Sequence, residues 1–172
     1  GLKNEIGVFS PAEYVLLDTE FLKTLDIHNI LSGYAEMLKH GIISTTEHWE
    51  ELLNFDMNQI DYKVLQELVA KSVKIKEDIV EQDPFEKGIR KALNLGHTVG
   101  HAFESLALEN NRPVLHGYAV AWGIVCELYF SYCKVGFPKD NLRQTIQFIK
   151  ENYGVLTFDC KQYDRLYEFM TH

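Results

Sequence analysis

The sequence predicts an all-α fold, a bundle of many helices. Three observations carry that prediction. Apolar residues recur at three- and four-residue intervals through most of the 172 positions. Helix breakers are few, with 4 Pro and 11 Gly in the whole chain. Only one stretch, residues 14–18 (Tyr-Val-Leu-Leu-Asp), reads as a short strand.

The elements follow in order. Asp18 or Thr19 offers an N-cap for a first turn through Phe21, Leu22 and Leu25. Residues 27–43 place Ile30, Leu31, Tyr34, Leu38 and Ile42 on one broad apolar face. Thr45 or Thr46 starts the next helix, through Trp49, Leu52 and Leu53. Residues 58–81 carry a stripe of Val64, Leu65, Leu68, Val69, Val73 and Val80, and Pro84 ends it. Helices are expected over 92–108, over 116–135 up to Gly136 and Pro138, over 140–152 and over 161–170. The chain opens in a loop, Lys3-Asn4-Glu5-Ile6-Gly7, and stops within helical periodicity at His172. The expectation is one helical domain over residues 1–172 that is a fragment of a larger protein.

Composition excludes several classes of function. There are 17 basic against 25 acidic side chains, a formal net charge of -8. A general nucleic-acid or anionic-membrane binder needs the opposite sign. No apolar run reaches the roughly 20 residues of a membrane helix, and the N-terminus has no signal-peptide pattern. Cys126, Cys133 and Cys160 form no CxxC pair, which favours a reducing compartment. Cys126 and Cys133, among Ile124, Val125, Leu128 and Phe130, read as core. The expected location is the cytoplasm.

Chemistry concentrates in residues 90–101, Arg-Lys-Ala-Leu-Asn-Leu-Gly-His-Thr-Val-Gly-His. On a continuous helix Arg90, Asn94, His97 and His101 share one face, a polar and cationic stripe unsuited to a core. Gly96 and Gly100 would each cost about 1 kcal/mol inside a helix, so they imply close approach of a backbone or a ligand. His97 and His101 stand at the i, i+4 spacing by which two imidazoles bind one zinc, and His116 could add a nitrogen. Glu36, an acid within an apolar helix, is the best carboxylate candidate. Spacing leaves open which histidines are ligands. Lys3, Lys39, Lys76 and Arg90, if they converge, form a site for phosphate or carboxylate. Lys71 and Lys74 read as a solvated face, and Glu104 as either an acceptor that orients an imidazole or a surface carboxylate. His28, His40 and His48 have no evident partner in the sequence.

These residues resemble the C-terminal helical domain of the 3-dehydroquinate synthase family, within the sugar phosphate cyclases. The resemblance rests on residues 3–7, 21–25, 33–39, 90–101 and His116-Gly117, in the family's order through about the first 125 residues. It implies a two-domain lyase of the shikimate pathway of aromatic amino acid biosynthesis, with a Rossmann-like NAD domain absent from this chain. The implied reaction converts 3-deoxy-D-arabino-heptulosonate 7-phosphate to 3-dehydroquinate and phosphate. By the same resemblance Glu36, His97 and His116 bind Zn2+, with Co2+ as an alternative ion. His101 then faces the phosphate region and its proton traffic. Lys39, Lys76, Arg90, Asn94 and Asn4 hold the substrate, while Lys3, Phe21, Leu22, Lys23, Thr24 and Leu25 touch NAD. A homodimer is implied, and this chain alone is expected to be inactive.

Tyr118 departs from the family pattern, which has Glu after His-Gly. The rival readings are a sister NAD- and zinc-dependent sugar phosphate cyclase, a metal-dependent alcohol dehydrogenase, and a non-catalytic helical zinc module. Arg90 with Asn94 favours a carboxylate-bearing substrate, because an unpaired guanidinium in a cleft is costly.

Overall fold

The computed structural model describes residues 13–171. Within them the chain is all-α, with seven α-helices: α1 (Ile27–Ile43), α2 (Thr46–Asn54), α3 (Tyr62–Gln82), α4 (His97–Glu109), α5 (His116–Val135), α6 (Lys139–Tyr153) and α7 (Tyr163–Thr171). Three 3-10 turns accompany them, Thr19–Thr24, Ile89–Asn94 and Cys160–Gln162. No described helix is long and apolar enough to cross a membrane.

Side-chain caps explain the starts of α1, α2 and α3 and of the first 3-10 turn. Asp18, Asp26, Thr45 and Asp61 each accept a backbone N–H from the first turn that follows. Asp61 therefore starts α3 at Tyr62, later than the stripe from residue 58 suggested. Gly136, in the left-handed region at φ 76, closes α5.

The main core lies between α1, α2, α3, α5 and α6, around Tyr34, Leu38, Leu52, Leu65, Ile124 and Ile149. Each such side chain contributes roughly 1.5–3 kcal/mol by leaving water. The polar atoms of its buried Tyr and Trp side chains are satisfied across the chain. Tyr34 Oη donates to the Leu52 carbonyl at 2.8 Å, Tyr153 Oη to that of Leu31 at 2.9 Å, and Trp49 Nε1 to Thr145 Oγ1 at 3.1 Å. A smaller cluster of Val99, Phe103, Leu106 and Leu166 joins α4, α5 and α7.

Two expected elements differ. Residues 14–18 form no strand, and Tyr14, Val15, Leu16 and Leu17 are exposed. A strand exists only against a neighbour that completes its hydrogen bonds, and no described segment supplies one. The helix expected over 92–108 is broken. Arg90 and Asn94 lie on the 3-10 turn, Gly96 takes φ 80, and α4 begins at His97. The single stripe through Arg90, Asn94, His97 and His101 is thereby cut in two. Cys133 is exposed and not core, whereas Cys126 is half-buried against the smaller cluster.

Candidate metal and anion site

The site forms where the N-terminal ends of α4 and α5 meet the middle of α1. Two glycines allow that meeting. A Cβ on Gly117 would fall 1.9 Å from the Ser32 carbonyl oxygen of α1, so only glycine lets α5 come so close. The Gly117 N–H then donates to Ser32 Oγ at 2.9 Å. Gly96 turns the chain into α4, and a Cβ there would lie 2.8 Å from the Val120 carbonyl oxygen. Gly100 similarly faces the Ala119 carbonyl. Close approach of another backbone is thus the role of both glycines of the motif. Glu127 of α5 caps the start of α4, accepting from Gly96 N–H at 2.8 Å and Val99 N–H at 3.3 Å.

His97 and His116 are consequently the first residues of two adjoining helices, and both rings point at Glu36. Each Nε2 is 3.4 Å from Glu36 Oε1. The other ring nitrogens face acceptors. His97 Nδ1 is 3.3 Å from the Leu95 carbonyl, and His116 Nδ1 is 3.1 Å from Glu104 Oε2. Carbonyl and carboxylate oxygens only accept, so with a cation held at the triad each Nδ1 would keep its proton and each Nε2 would turn its lone pair to the ion. In that tautomer three acceptor atoms face one another at distances that suit a shared cation. The three residues offer ligand atoms within 4.8 Å of one another. Two imidazoles and one carboxylate are the donor set of an open zinc site, and the residues fit that ion.

Burial alone pushes the Glu36 carboxyl up. The hydrogen bonds of His116, His97 and Lys39 outweigh it and hold the group far below the usual carboxylate range. Lys39 is buried and donates to Glu36 Oε2 at 2.5 Å.

An open cleft of about 660 Å³ leads from this triad, and its lining includes Lys39, Lys76, Arg90 and Asn94. The loop before Arg90 is organised by Asp83, whose carboxylate accepts from the N–H groups of Lys87, Gly88 and Arg90. These bonds, Lys87 first, hold its carboxyl below the ordinary value. Arg90 Nη1 donates to the Pro84 carbonyl at 2.8 Å, and Asn94 Nδ2 to Glu86 Oε1 at 2.6 Å.

The family model for the C-terminal part of 3-dehydroquinate synthase matches residues 33–172. The chain belongs to the 3-dehydroquinate synthase family. A curated 3-dehydroquinate synthase of Parabacteroides distasonis is 58% identical over 172 residues, all of this chain and 49% of that protein. The one from Oceanobacillus iheyensis is 38% identical over 169 residues, 98% of this chain and 46% of the relative. That of Streptococcus pyogenes is 38% identical over 157 residues, 91% and 43% respectively. The chain spans about half the length of the curated relatives it matches.

The fold brings together Glu36, His97 and His116 as the triad, with Lys39, Lys76, Arg90 and Asn94 along one cleft. His101 stands apart from that lining, with its side chain 57% exposed and Nδ1 3.3 Å from Glu104 Oε2. Phe21, Leu22, Lys23, Thr24 and Leu25 lie on the first 3-10 turn and its cap. Leu22 and Leu25 line a separate apolar cleft of about 390 Å³ that meets the polar one at Gly33. Lys23 pairs there with Glu20 at 2.6 Å. Lys3 and Asn4 lie outside the described residues.

Several residues of the site escaped the sequence reading. Glu86, Ser32 and His40 line the cleft, and Glu127 caps α4. None has a local signature, because each acts on residues of another element or turn. His40 is buried, and its Nδ1 has no hydrogen-bond partner among the described residues. Burial first, then the Lys39 ammonium, pushes its imidazole down to about 4. The other two isolated histidines do have partners: His28 Nδ1 meets the Tyr118 hydroxyl at 2.8 Å, and His48 Nε2 meets Ser72 Oγ at 3.2 Å.

Proposed function

We propose that this chain is the helical metal- and substrate-binding part of a 3-dehydroquinate synthase, a zinc- and NAD-dependent carbon–oxygen lyase of the shikimate pathway. The observation that carries the reading is the Glu36–His97–His116 triad opening onto a cleft with three cationic side chains. Its substrate is 3-deoxy-D-arabino-heptulosonate 7-phosphate, and its products are 3-dehydroquinate and phosphate.

Lys39, Lys76 and Arg90 would neutralise the phosphate and carboxylate of that substrate, while Asn94 supplies amide hydrogen bonds to hydroxyls. Fixing both anionic ends restricts the substrate to one orientation over the triad. Lys39 has a double duty, since it also bonds the Glu36 carboxylate. Glu36, His97 and His116 would hold Zn2+, which when bound supplies Lewis-acid polarisation of a substrate hydroxyl. NAD supplies the reversible hydride acceptor, with Phe21, Leu22, Lys23, Thr24, Leu25 and Lys3 on its flank. Transient oxidation next to the reacting carbon acidifies its C–H and makes phosphate elimination feasible. His101, beside the triad, would carry the proton traffic of that step, and Asn4 would add a substrate contact. The active form is a cytoplasmic homodimer, and residues 1–172 alone are inactive.

The test is phosphate release by the full chain with NAD and zinc, from the heptulosonate phosphate and, in parallel, from sedoheptulose 7-phosphate. Release from the former only, without net NADH, supports the synthase. Release from the latter would assign a sister cyclase. Zinc binding with no release from either would return the site to a dehydrogenase or a structural module.

A further inference from the structure

Glu104 is one turn of α4 beyond His101 and lies between two histidines. A single oxygen, Oε2, is 3.1 Å from His116 Nδ1 and 3.3 Å from His101 Nδ1. The two rings lean together with centroids 5.4 Å apart. A carboxylate has no proton to give, so each histidine must present Nδ1–H to it. That choice has a different consequence for each ring. With a metal held, His116 then offers its Nε2 lone pair on the side of Glu36, 3.4 Å away. His101 likewise keeps its lone pair on Nε2, and its side chain is 57% exposed.

We propose that Glu104 is the positioning residue of the metal centre, and that it sets the tautomer of the ligand His116 and of the neighbouring His101 through one shared oxygen. The proposal rests on the zinc reading above. His97 does not need such a residue, because the Leu95 backbone carbonyl at 3.3 Å does the same for its Nδ1. The two metal histidines are thus oriented by unlike means, one by the backbone of its own turn and one by a side chain that can be mutated. An imidazole released from Nδ1 can rotate or take the other tautomer, and either event removes a ligand. Loss of an outer partner of this kind costs roughly ten- to a hundredfold in metal affinity.

The same three residues, His101, Glu104 and His116, could alternatively gather a second ion, since their ligand atoms lie within 4.8 Å of one another. That arrangement needs a lone pair on Nδ1, the opposite tautomer, so the two readings exclude each other.

Zinc affinity is measured on the full chain by competition with a chromophoric chelator, for wild type, Glu104→Gln, Glu104→Asp and His97→Ala. Cobalt spectra of the substituted forms are recorded alongside. Glu104→Gln keeps size and removes the charge, so the expected result is a roughly ten- to a hundredfold weaker zinc site and an altered cobalt spectrum. Glu104→Asp should recover part of the affinity, and the melting temperature of the metal-free forms should not move. Affinity within twofold of wild type in Glu104→Gln, while His97→Ala loses the metal, overturns the positioning role and leaves the zinc reading intact. Unchanged affinity in His97→Ala as well overturns both. Two zinc ions per wild-type chain, one of them lost in His101→Ala, would make Glu104 a ligand and also overturn the proposal.

Discussion

Two clefts meet α4 at different places, one at its first residue, His97, and one along Phe103 to Ala107, and they differ in what converges on them. The polar cleft, about 660 Å³, draws on α1, α3, the turn through Arg90, α4 and α5. The second, about 480 Å³, is lined by Phe103, Leu106, Trp122, Leu156 and Phe158 with Asn110, Arg112 and Gln162 beside them, from α4, α5 and the segment before α7. The second cleft lies where helices pack around aromatic rings, with one charged side chain, Arg112, in its lining. Phe103 and Phe158 stand 5.8 Å apart there, and Phe158 meets Tyr163 edge-on at 5.5 Å. The polar cleft brings charged groups out of water, which is costly without a ligand or close partners. A concavity alone therefore says little about function; the charged groups held at its rim do.

Substitutions can break this contrast, beginning with the largest effect. Glu36→Ala or His97→Ala should weaken zinc by at least roughly tenfold and abolish turnover, because each removes one of three ligands. His101→Ala should largely spare zinc affinity while lowering turnover. Equal losses of zinc in a chelator competition would mean that the wrong histidine has been assigned.

Gly117→Ala attacks the same cleft through packing. Its methyl group would overlap the Ser32 carbonyl, so α5 must shift from α1 and carry His116 away from Glu36. A stability loss of about 3 kcal/mol is expected by denaturant unfolding, together with weaker zinc binding. A fully stable variant with normal zinc affinity would show that this approach is not needed.

The buried His40 sharpens the comparison through pH. Its imidazole is depressed to about 4 in the folded chain, against an ordinary 6.5. The unfolded chain therefore takes up a proton first as pH falls from 6.5, and stability drops until the folded form titrates near 4. The full difference approaches about 3 kcal/mol, and His40→Gln should remove that slope. Melting curves across pH 4–7 check it, and a slope kept in the variant would assign it elsewhere.

Phe158→Ala should act on the other cleft alone. About 2 kcal/mol of stability is expected to disappear, less than for a fully buried ring, with zinc affinity unchanged. A change in zinc binding would mean that the two clefts are coupled through α4.

The helices could be read from the chain because amphipathic periodicity and short caps act within a few residues. Asp18, Asp26, Thr45 and Asp61 are local signals, and all four cap as their chemistry dictates. Chemistry in residues 90–101 was visible too, because Arg, Asn and His on one short segment have no place in a core. Its geometry was not. Periodicity assumed an unbroken helix, whereas Gly96 turns into the left-handed region and α4 starts afresh at His97. The reason lies in another element: α5 packs so close that Gly123 faces the Gly96 carbonyl, and Glu127 supplies the cap. The strand expected at residues 14–18 failed for the same kind of reason, since a strand depends on a partner.

The sequence by itself determined the helical class and, through its resemblance to a family, pointed to Glu36, His97 and His116 as a candidate set. Only the tertiary structure decided that Arg90 and Asn94 reach the cleft from a 3-10 turn. It also decided that His101 sits outside that lining, and that Glu104 bonds both His101 and His116. The physical reason is range. Periodicity and capping are set by neighbours along the chain, whereas the orientation of an imidazole is set by whichever acceptor another turn or helix brings within about 3 Å of its second nitrogen.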